Sequence, residues 1–292
     1  MHVFRRFIAV LSGLVVLILL YRMHTAPAVP LTRTPPAKQE PGTMAPIRLA
    51  IIEADTPQPK ANEKFGGYRG LYTEMLRKAA EILEPPQPLE EVLKITGHHV
   101  VDDKDPYPNL DNIDAILISG SKHTAYHDDA WILNLVEFTK KALATKRVKV
   151  IGVCFGHQLL ARVLGAPVVK NKKGWEVSVM PIHCTDKGKE IFGRDILNIE
   201  QMYSDIVYEV PEGSTVLASN DMCPIQALYS EGSYISIQGH PEFTGEIMDE
   251  ILTNRRGVLF TDEMSDDGMR RAHLEQDGAI IAKGFIRFLR QG

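Results

Sequence analysis

The sequence predicts an α/β fold in which a doubly wound, mainly parallel sheet carries an added antiparallel portion. Two observations lead to this prediction. Strand and helix patterns alternate through residues 47–164, as they do in parallel sheets whose two faces are covered by helices. From 167 to 234 the strands are short and helical periodicity is scarce, which indicates antiparallel pairing. With 292 residues and 44% hydrophobic side chains, the chain can bury a sizeable core.

The alternation begins at Ile47–Ile52, an apolar run typical of a buried strand. Apolar residues at helical spacing follow between Leu71 and Leu83, and Pro85 and Pro86 end that helix. The remaining elements of this half are a strand within 89–101, a strand at 114–119, a helix at 131–144, a strand at 148–153 and a helix at 158–164.

The second half of the chain supplies the antiparallel portion. We predict strands there at 177–182, 195–200, 215–219 and 225–229. The run 234–238 is again apolar and is expected to return to the main sheet, and helices at 246–254 and 277–289 close the domain. We predict one domain from 46 to 292, with no internal repeat and no boundary inside it.

Residues 1–45 have a different composition. An apolar run at 7–21 follows Arg5 and Arg6, and a proline-rich stretch comes after it. This pattern predicts a short signal anchor or a signal peptide, followed by a linker. As a helix the run would reach roughly 22 Å, which is short of the roughly 30 Å hydrocarbon core. We expect membrane association through 7–21 with the folded domain in the cytosol; a cytoplasmic protein or one in the secretory pathway is the alternative.

Charge and cysteine content exclude several classes of protein. The net charge of −4 gives no electrostatic basis for binding nucleic acid. Three cysteines do not form a disulfide framework, so we expect Cys184 and Cys223 to be buried apolar side chains. The histidine groups His98–His99 and His123–His127 lack a third ligand at convincing spacing and are interpreted as loop residues. We predict neither a metal nor a cofactor.

The third cysteine has a different setting. Cys154 stands between a predicted strand and a predicted helix, with Gly152 and Gly156 two residues away on either side. This is the layout of a nucleophile elbow, with cysteine where hydrolases carry serine. The turn is tight, so its neighbours need glycine, and the helix N-terminus favours a thiolate. We therefore interpret Cys154 as a nucleophile.

Two other strand ends carry residues that suit such a nucleophile. His240 and Glu242 follow the predicted strand 234–238, and Gly120-Ser121 follows the strand 114–119. Doubly wound sheets collect their sites at the carboxyl ends of strands. We therefore expect His240 to act as base for Cys154, with Glu242 orienting its ring. Because they are two residues apart around Pro241, a turn must bring them together.

These motifs resemble those of class I glutamine amidotransferases. The resemblance rests on Gly-Val-Cys-Phe-Gly-His-Gln at 152–158 and Gly-His-Pro-Glu-Phe at 239–243, and it runs from about Ile47 to the C-terminus. The segment 116–121 is similar to stand-alone domains related to the amidotransferase half of GMP synthase. The resemblance implies a flavodoxin-like sheet with an added antiparallel portion. It also implies attack of Cys154 on a glutamine side-chain amide, through a γ-glutamyl thioester.

The resemblance assigns further residues to the site. Backbone N–H groups of Phe155 and of the Gly120-Ser121 turn would hold the oxyanion, and Gln158 would help to bind the substrate's amino-acid end. The sequence departs from the family pattern at two positions. Ser121 replaces a frequent second glycine, which a backbone donor does not require. Tyr203 stands where many relatives have histidine near the substrate, so glutamine recognition is not assured.

Three hypotheses for function follow. The first is a glutaminase-type amidotransferase that acts alone or beside a separate synthase subunit, since the chain has no synthase segment or G-x-x-x-x-G-K-[S/T] loop of its own. The second is a γ-glutamyl peptidase acting on glutathione-like substrates, which the change at Tyr203 favours. The third is a non-catalytic regulatory partner with the same fold. A thiol at an elbow argues against the third.

Overall fold

A computed structural model describes residues 45–291 of the chain. The apolar segment at 7–21 and the proline-rich linker lie outside the described residues, so the prediction of membrane association stays a prediction. Between residues 45 and 291, no helix is both long enough and apolar enough to cross a membrane.

The described chain alternates between strands and helices before strands predominate. The elements are, in order, β1 (Ile47–Glu53), α1 (Pro59–Phe65), α2 (Tyr68–Glu81), α3 (Leu89–Val92), β2 (Leu93–His99), β3 (Ala115–Ile118), α4 (Ala130–Ala144), β4 (Lys149–Val153), α5 (Phe155–Val163), β5 (Val168–Lys170), β6 (Glu176–Cys184), α6 (Asp186–Phe192), β7 (Ile196–Tyr203), β8 (Asp205–Val207), β9 (Thr215–Ser219), β10 (Ala227–Ser230), β11 (Tyr234–Ile237), α7 (Gly245–Arg255), α8 (Asp262–Arg271) and α9 (Gly278–Arg290).

A nine-stranded sheet forms the centre of the fold, in the order β2-β1-β3-β4-β11-β10-β9-β6-β7. The first five strands are mutually parallel, with β11 paired to β4 as the prediction of a returning strand required. The remaining strands pair antiparallel. The parallel order is that of flavodoxin-like sheets. The predicted α/β fold, with its added antiparallel portion, is therefore confirmed.

Alternation along the strands divides the core between the two faces of the sheet. In β1, Leu49 and Ile51 belong to one apolar cluster, whereas Ala50 and Ile52 belong to the other. Helices α2 and α9 pack on the first face, and α4 and α5 on the second. Because both faces are covered, the parallel strands carry almost continuous apolar runs, which is why they were visible in the sequence.

Several elements depart from the predictions. Helices α1, α6 and α8 were missed, because each is short or nearly all polar; α8 buries only Ser265 and Gly268. For α6, a threonine at the N-cap is the local sequence feature that could have predicted the helix. The Thr185 side chain accepts a hydrogen bond from the Gly188 N–H. His98 and His99, interpreted as loop residues, end strand β2. Cys184 and Cys223 are buried free thiols, as expected.

The junction between the two parts of the sheet brings β7 against the end of β11. A backbone hydrogen bond of 2.8 Å runs from the His240 N–H to the Glu200 carbonyl. The Glu200 side chain is fully buried, and neither of its carboxylate oxygens has a hydrogen-bond partner among residues 45–291. Burial raises the pKa of Glu200 from 4.5 to about 8, although His240 and Arg271 act in the opposite direction. A buried carboxylic acid therefore lies next to the backbone of His240, one of the predicted site residues.

This acid predicts a pH dependence of stability. Between pH 4.5 and 8 the unfolded chain releases the Glu200 proton while the folded chain keeps it, so raising the pH destabilises the wild type. Glu200→Gln removes this loss. One pKa unit is worth about 1.4 kcal/mol. If only half of the shift is expressed in solution, the free energy of unfolding changes by about 2 kcal/mol, which corresponds to several degrees in Tm. Melting curves at pH 5 and pH 8 should show the variant gaining Tm relative to wild type; parallel pH dependences would contradict this.

Candidate active site

The junction of β4 and α5 forms a strained turn at Cys154. The cysteine occupies the N-cap of α5 with φ 51° and ψ −103°, a conformation that residues other than glycine rarely adopt. Its N–H donates to the Ile237 carbonyl at 2.9 Å, which fixes it against the end of β11. Phe155, the next residue, is buried and stacks on Trp131 of α4 with ring centroids 5.8 Å apart. The turn is therefore held from both sides.

Steric contacts explain why the two positions that flank the elbow are glycines. A Cβ atom on Gly156 would lie 2.3 Å from the Ile118 carbonyl oxygen, and one on Gly152 would lie 2.6 Å from the Gly156 carbonyl oxygen. Neither contact is possible without moving backbone. The glycines thus let α5 begin directly against β3 and β4, which is what the G-x-C-x-G pattern predicted.

His240 and Glu242 follow β11 in a turn rather than an extended strand. The His240 Nδ1 and Glu242 Oε1 atoms are 2.9 Å apart, and both side chains are buried. The imidazole also lies flat on the Phe243 ring, with centroids 4.0 Å apart and 7° between the planes. These two contacts fix the ring and leave Nε2 as the nitrogen not bonded to Glu242.

Tyr72, which the sequence did not single out, connects two of the predicted residues. Its hydroxyl donates to Glu242 Oε1 at 3.0 Å and accepts from the Gly120 N–H at 3.3 Å. Burial and the neighbouring Glu242 carboxylate raise the pKa of Tyr72 well above its usual value, so the phenol keeps its proton. In the sequence Tyr72 is one more apolar-face residue of α2, and nothing there separates it from core residues.

The backbone donors around Cys154 differ from the prediction in one respect. The Gly120 N–H is bound to Tyr72, so it is not free for an oxyanion. The N–H groups of Ser121 and Phe155 make no hydrogen bond within residues 45–291. Gly120 instead lies against the His240 ring: a Cβ there would be 2.6 Å from His240 Cε1. The two free donors are therefore at Phe155 and Ser121.

Two histidines near the elbow have opposite electrostatic settings. Burial alone would lower the pKa of His240, but the Cys154 thiolate and the Glu242 carboxylate outweigh it and raise the pKa to about 10. His157 is closer to Cys154 in sequence, yet its two ring nitrogens are hydrogen-bonded with Ser236 Oγ and the Ile225 carbonyl. Burial lowers the pKa of His157 to about 4. Only His240 is placed to exchange a proton with the thiol.

Cys154 opens into a cavity of about 300 Å³. Its lining includes most of the predicted site residues, namely Ser121, Cys154, Gln158, Tyr203 and His240. The Gln158 amide donates to the Asp205 carbonyl at 2.7 Å and to Gln238 Oε1 at 3.2 Å. Glu242, Gly120 and Phe155 support these residues from behind. The structure thus brings all eight predicted residues to one place.

Tyr203 lines the cavity, but its hydroxyl is engaged elsewhere. It donates to the buried Glu176 carboxylate and accepts from Gln226 Nε2 at 2.9 Å. Asn220 Nδ2 donates to the second Glu176 oxygen at 2.6 Å. The hydroxyl therefore belongs to a buried network rather than pointing freely at a ligand.

Two further residues line the cavity. Arg255 is half-buried there, whereas Arg256 pairs with Asp262 and Asp266. Trp175 packs edge-on against Phe260 and also lines the cavity. Within the described range, no three His, Cys, Asp or Glu side chains are grouped to hold a metal ion.

Comparison with known proteins identifies the family and the fold. The profile of the family described as glutamine amidotransferase class-I matches residues 78–257. A solved glutamine amidotransferase from Thermotoga maritima has the same fold, with a TM-score of 0.65 at 17% identity, covering 84% of this chain and 98% of that one.

Curated relatives extend over nearly the whole described chain. A glutamine amidotransferase-like protein of Schizosaccharomyces pombe is 34% identical over 246 residues, which is 82% of this chain and 98% of that protein. Gamma-glutamyl peptidase 3 of Arabidopsis thaliana is 30% identical over 252 residues, which is 82% of this chain and 96% of that protein. The chain therefore belongs to the class I glutamine amidotransferase family.

Proposed function

We propose that this protein hydrolyses an amide bond at a γ-glutamyl carbonyl through a thioester on Cys154. One observation carries the proposal: the thiol stands on a strained elbow beside a buried imidazole that is hydrogen-bonded to Glu242 at 2.9 Å. The buried imidazole is hydrogen-bonded to the thiol, so it can exchange a proton with this nucleophile. A purely structural cysteine would need neither the elbow nor this partner.

The reaction follows in two steps. The Cys154 sulfur attacks the γ-carbonyl carbon, and the oxyanion accepts hydrogen bonds from the Phe155 and Ser121 N–H groups. His240 then gives its proton to the leaving nitrogen as the C–N bond breaks. In the second step water attacks the thioester while His240 takes its proton. The C–S bond breaks, and glutamate and the Cys154 thiolate are released.

The leaving group distinguishes two candidate substrates. With glutamine it is ammonia, which a separate synthase subunit could consume. With a γ-glutamyl peptide it is the amino group of the next residue, and relatives named gamma-glutamyl peptidases make this the second candidate. The cavity supports the second candidate, because residues of α7 line it together with Cys154 and leave room for a leaving group larger than ammonia. The remaining alternative is a non-catalytic regulatory partner. Hydrolysis that depends on Cys154 would exclude this alternative, and absence of hydrolysis would support it.

The nucleophile is tested by substitution. Cys154→Ala should lower the release of glutamate from both glutamine and γ-glutamyl-leucine by a factor of about 10³ or more, because the thioester can no longer form. Cys184→Ala is the matched control, since Cys184 is a buried thiol outside the cavity. Coupled glutamate detection measures both. Equal rates for the two variants, or no release by the wild type, would contradict the proposal and favour a regulatory partner.

The base is tested by its pH dependence. Acylation needs the protonated His240 as acid, so kcat/KM should fall on the alkaline side only near pH 10, where the raised pKa lies. Glu242→Gln removes one of the two charges that raise this pKa, so the alkaline limb should move to lower pH by about one unit or more. Initial rates from pH 6 to 11 measure it. An alkaline limb at the same pH in both proteins would show that Glu242 does not act on His240.

A further inference from the structure

Arg255 is the last residue of α7 and lines the same cavity as Cys154. It is half-buried, and burial lowers the pKa of its guanidinium. Tyr68, Asp55 and Cys154 lie close enough to act on its charge, and all three line the cavity as well. The guanidinium thus faces the site rather than bulk solvent alone.

This cation has no ion-pair partner among residues 45–291. In the part of the chain that the structure describes, the Arg255 guanidinium makes no hydrogen bond and no ion pair. Asp55 does not serve, because its carboxylate accepts from the Thr56 and Lys122 N–H groups and from the Lys122 ammonium at 2.9 Å. A half-buried guanidinium whose donors have no partner among residues 45–291 is available to bind an anion.

The other basic side chains of the cavity have partners. Lys122 pairs with Asp55, and Lys170 donates to Ser204 Oγ at 2.6 Å and lies 3.6 Å from Asp205 Oδ1. Asp205 also receives Gln158 on its carbonyl, so Lys170, Asp205 and Gln158 form one connected group. That group carries both charge signs, as the zwitterionic end of a γ-glutamyl substrate does. Arg255 lies outside it and offers positive charge only.

Apolar residues lead from the thiol toward Arg255. Ile247, Ile251 and Arg255 are spaced four apart on α7, so they form one stripe on the helix, and all three line the cavity. Ile247 and Ile251 are buried, and Phe243, which stacks on His240, stands before them. The wall is therefore apolar near the base and cationic at its far end.

We propose that Arg255 binds a carboxylate of the leaving group, and that the substrates are γ-glutamyl peptides with a free C-terminal carboxylate and an apolar side chain. This inference rests on the proposed function. The planar guanidinium matches a carboxylate with two parallel hydrogen bonds, and the isoleucine stripe accommodates the apolar part of the leaving residue. Glutamine has no atom to reach Arg255 in this way, because its leaving group is ammonia.

The test compares two substrates that differ only in the group at issue. The full chain is assayed with γ-glutamyl-leucine and with γ-glutamyl-leucinamide, whose carboxylate is replaced by a neutral amide. Arg255→Met should lower kcat/KM for the carboxylate peptide by about 10- to 100-fold, mainly through KM, as expected for loss of a charged hydrogen bond. The loss on the amide peptide should stay within about threefold. Arg255→Lys should retain part of the preference.

Arg256→Met is the matched control, because Arg256 is the next residue and pairs with Asp262 and Asp266 outside the cavity. It should leave the ratio of the two kcat/KM values unchanged. A cation at the end of a helix also stabilises the helix dipole. If that were the only role of Arg255, Arg255→Met would lower both values equally, and this outcome, or no loss at all, would overturn the proposal.

A binding measurement separates this proposal from the proposed function. Calorimetry with Cys154→Ala needs no turnover: γ-glutamyl-leucine should bind at least about tenfold tighter than its amide, and adding Arg255→Met should remove the difference. Equal affinities in Cys154→Ala overturn the role of Arg255. Absence of Cys154-dependent hydrolysis together with preferential binding would overturn the proposed function alone.

Discussion

The backbone of Cys154 lies in a region of φ and ψ that costs about 1–3 kcal/mol for a residue with a side chain, and surrounding contacts must hold it there. The hydrogen bond to Ile237, the close approach of Gly156 to Ile118 and the stacking of Phe155 on Trp131 supply that support. Each contact comes from a different element. The parallel sheet and its helices are therefore what keep the thiol raised at the start of α5.

Glu242 connects the buried side chains of His240 and Tyr72. Its Oε1 atom receives both His240 and Tyr72, while Oε2 has no partner within the described chain. A buried carboxylate with one unsatisfied oxygen is expensive, and a positive charge on His240 offsets part of that cost. The same pairing keeps the imidazole protonated beside the thiol. The His240–Glu242 pair thus connects the stability of the fold with the geometry of the predicted site.

Much of this arrangement could be predicted from the sequence, and the rest could not for physical reasons. The buried strands and the glycines around Cys154 leave strong patterns because burial on both faces and a tight turn restrict the residues allowed. Helix α8 leaves no pattern, because it buries little. Tyr72 and Arg255 were missed because their roles depend on which elements pack together. A tyrosine on an apolar face and an arginine in a basic pair look ordinary until the cavity is formed.

The link from α2 through Tyr72 to Glu242 has a consequence for heat resistance. Helix α2 carries no member of the predicted triad, yet its Tyr72 hydroxyl donates to the Glu242 carboxylate, so the packing of α2 on the sheet affects the position of that carboxylate. If α2 shifts on the sheet before the fold unfolds as a whole, Glu242 loses the hydrogen bond from Tyr72. Thermal inactivation would then precede the loss of secondary structure on heating. Substitutions at the α2–α9 contact would widen the gap between the two temperatures.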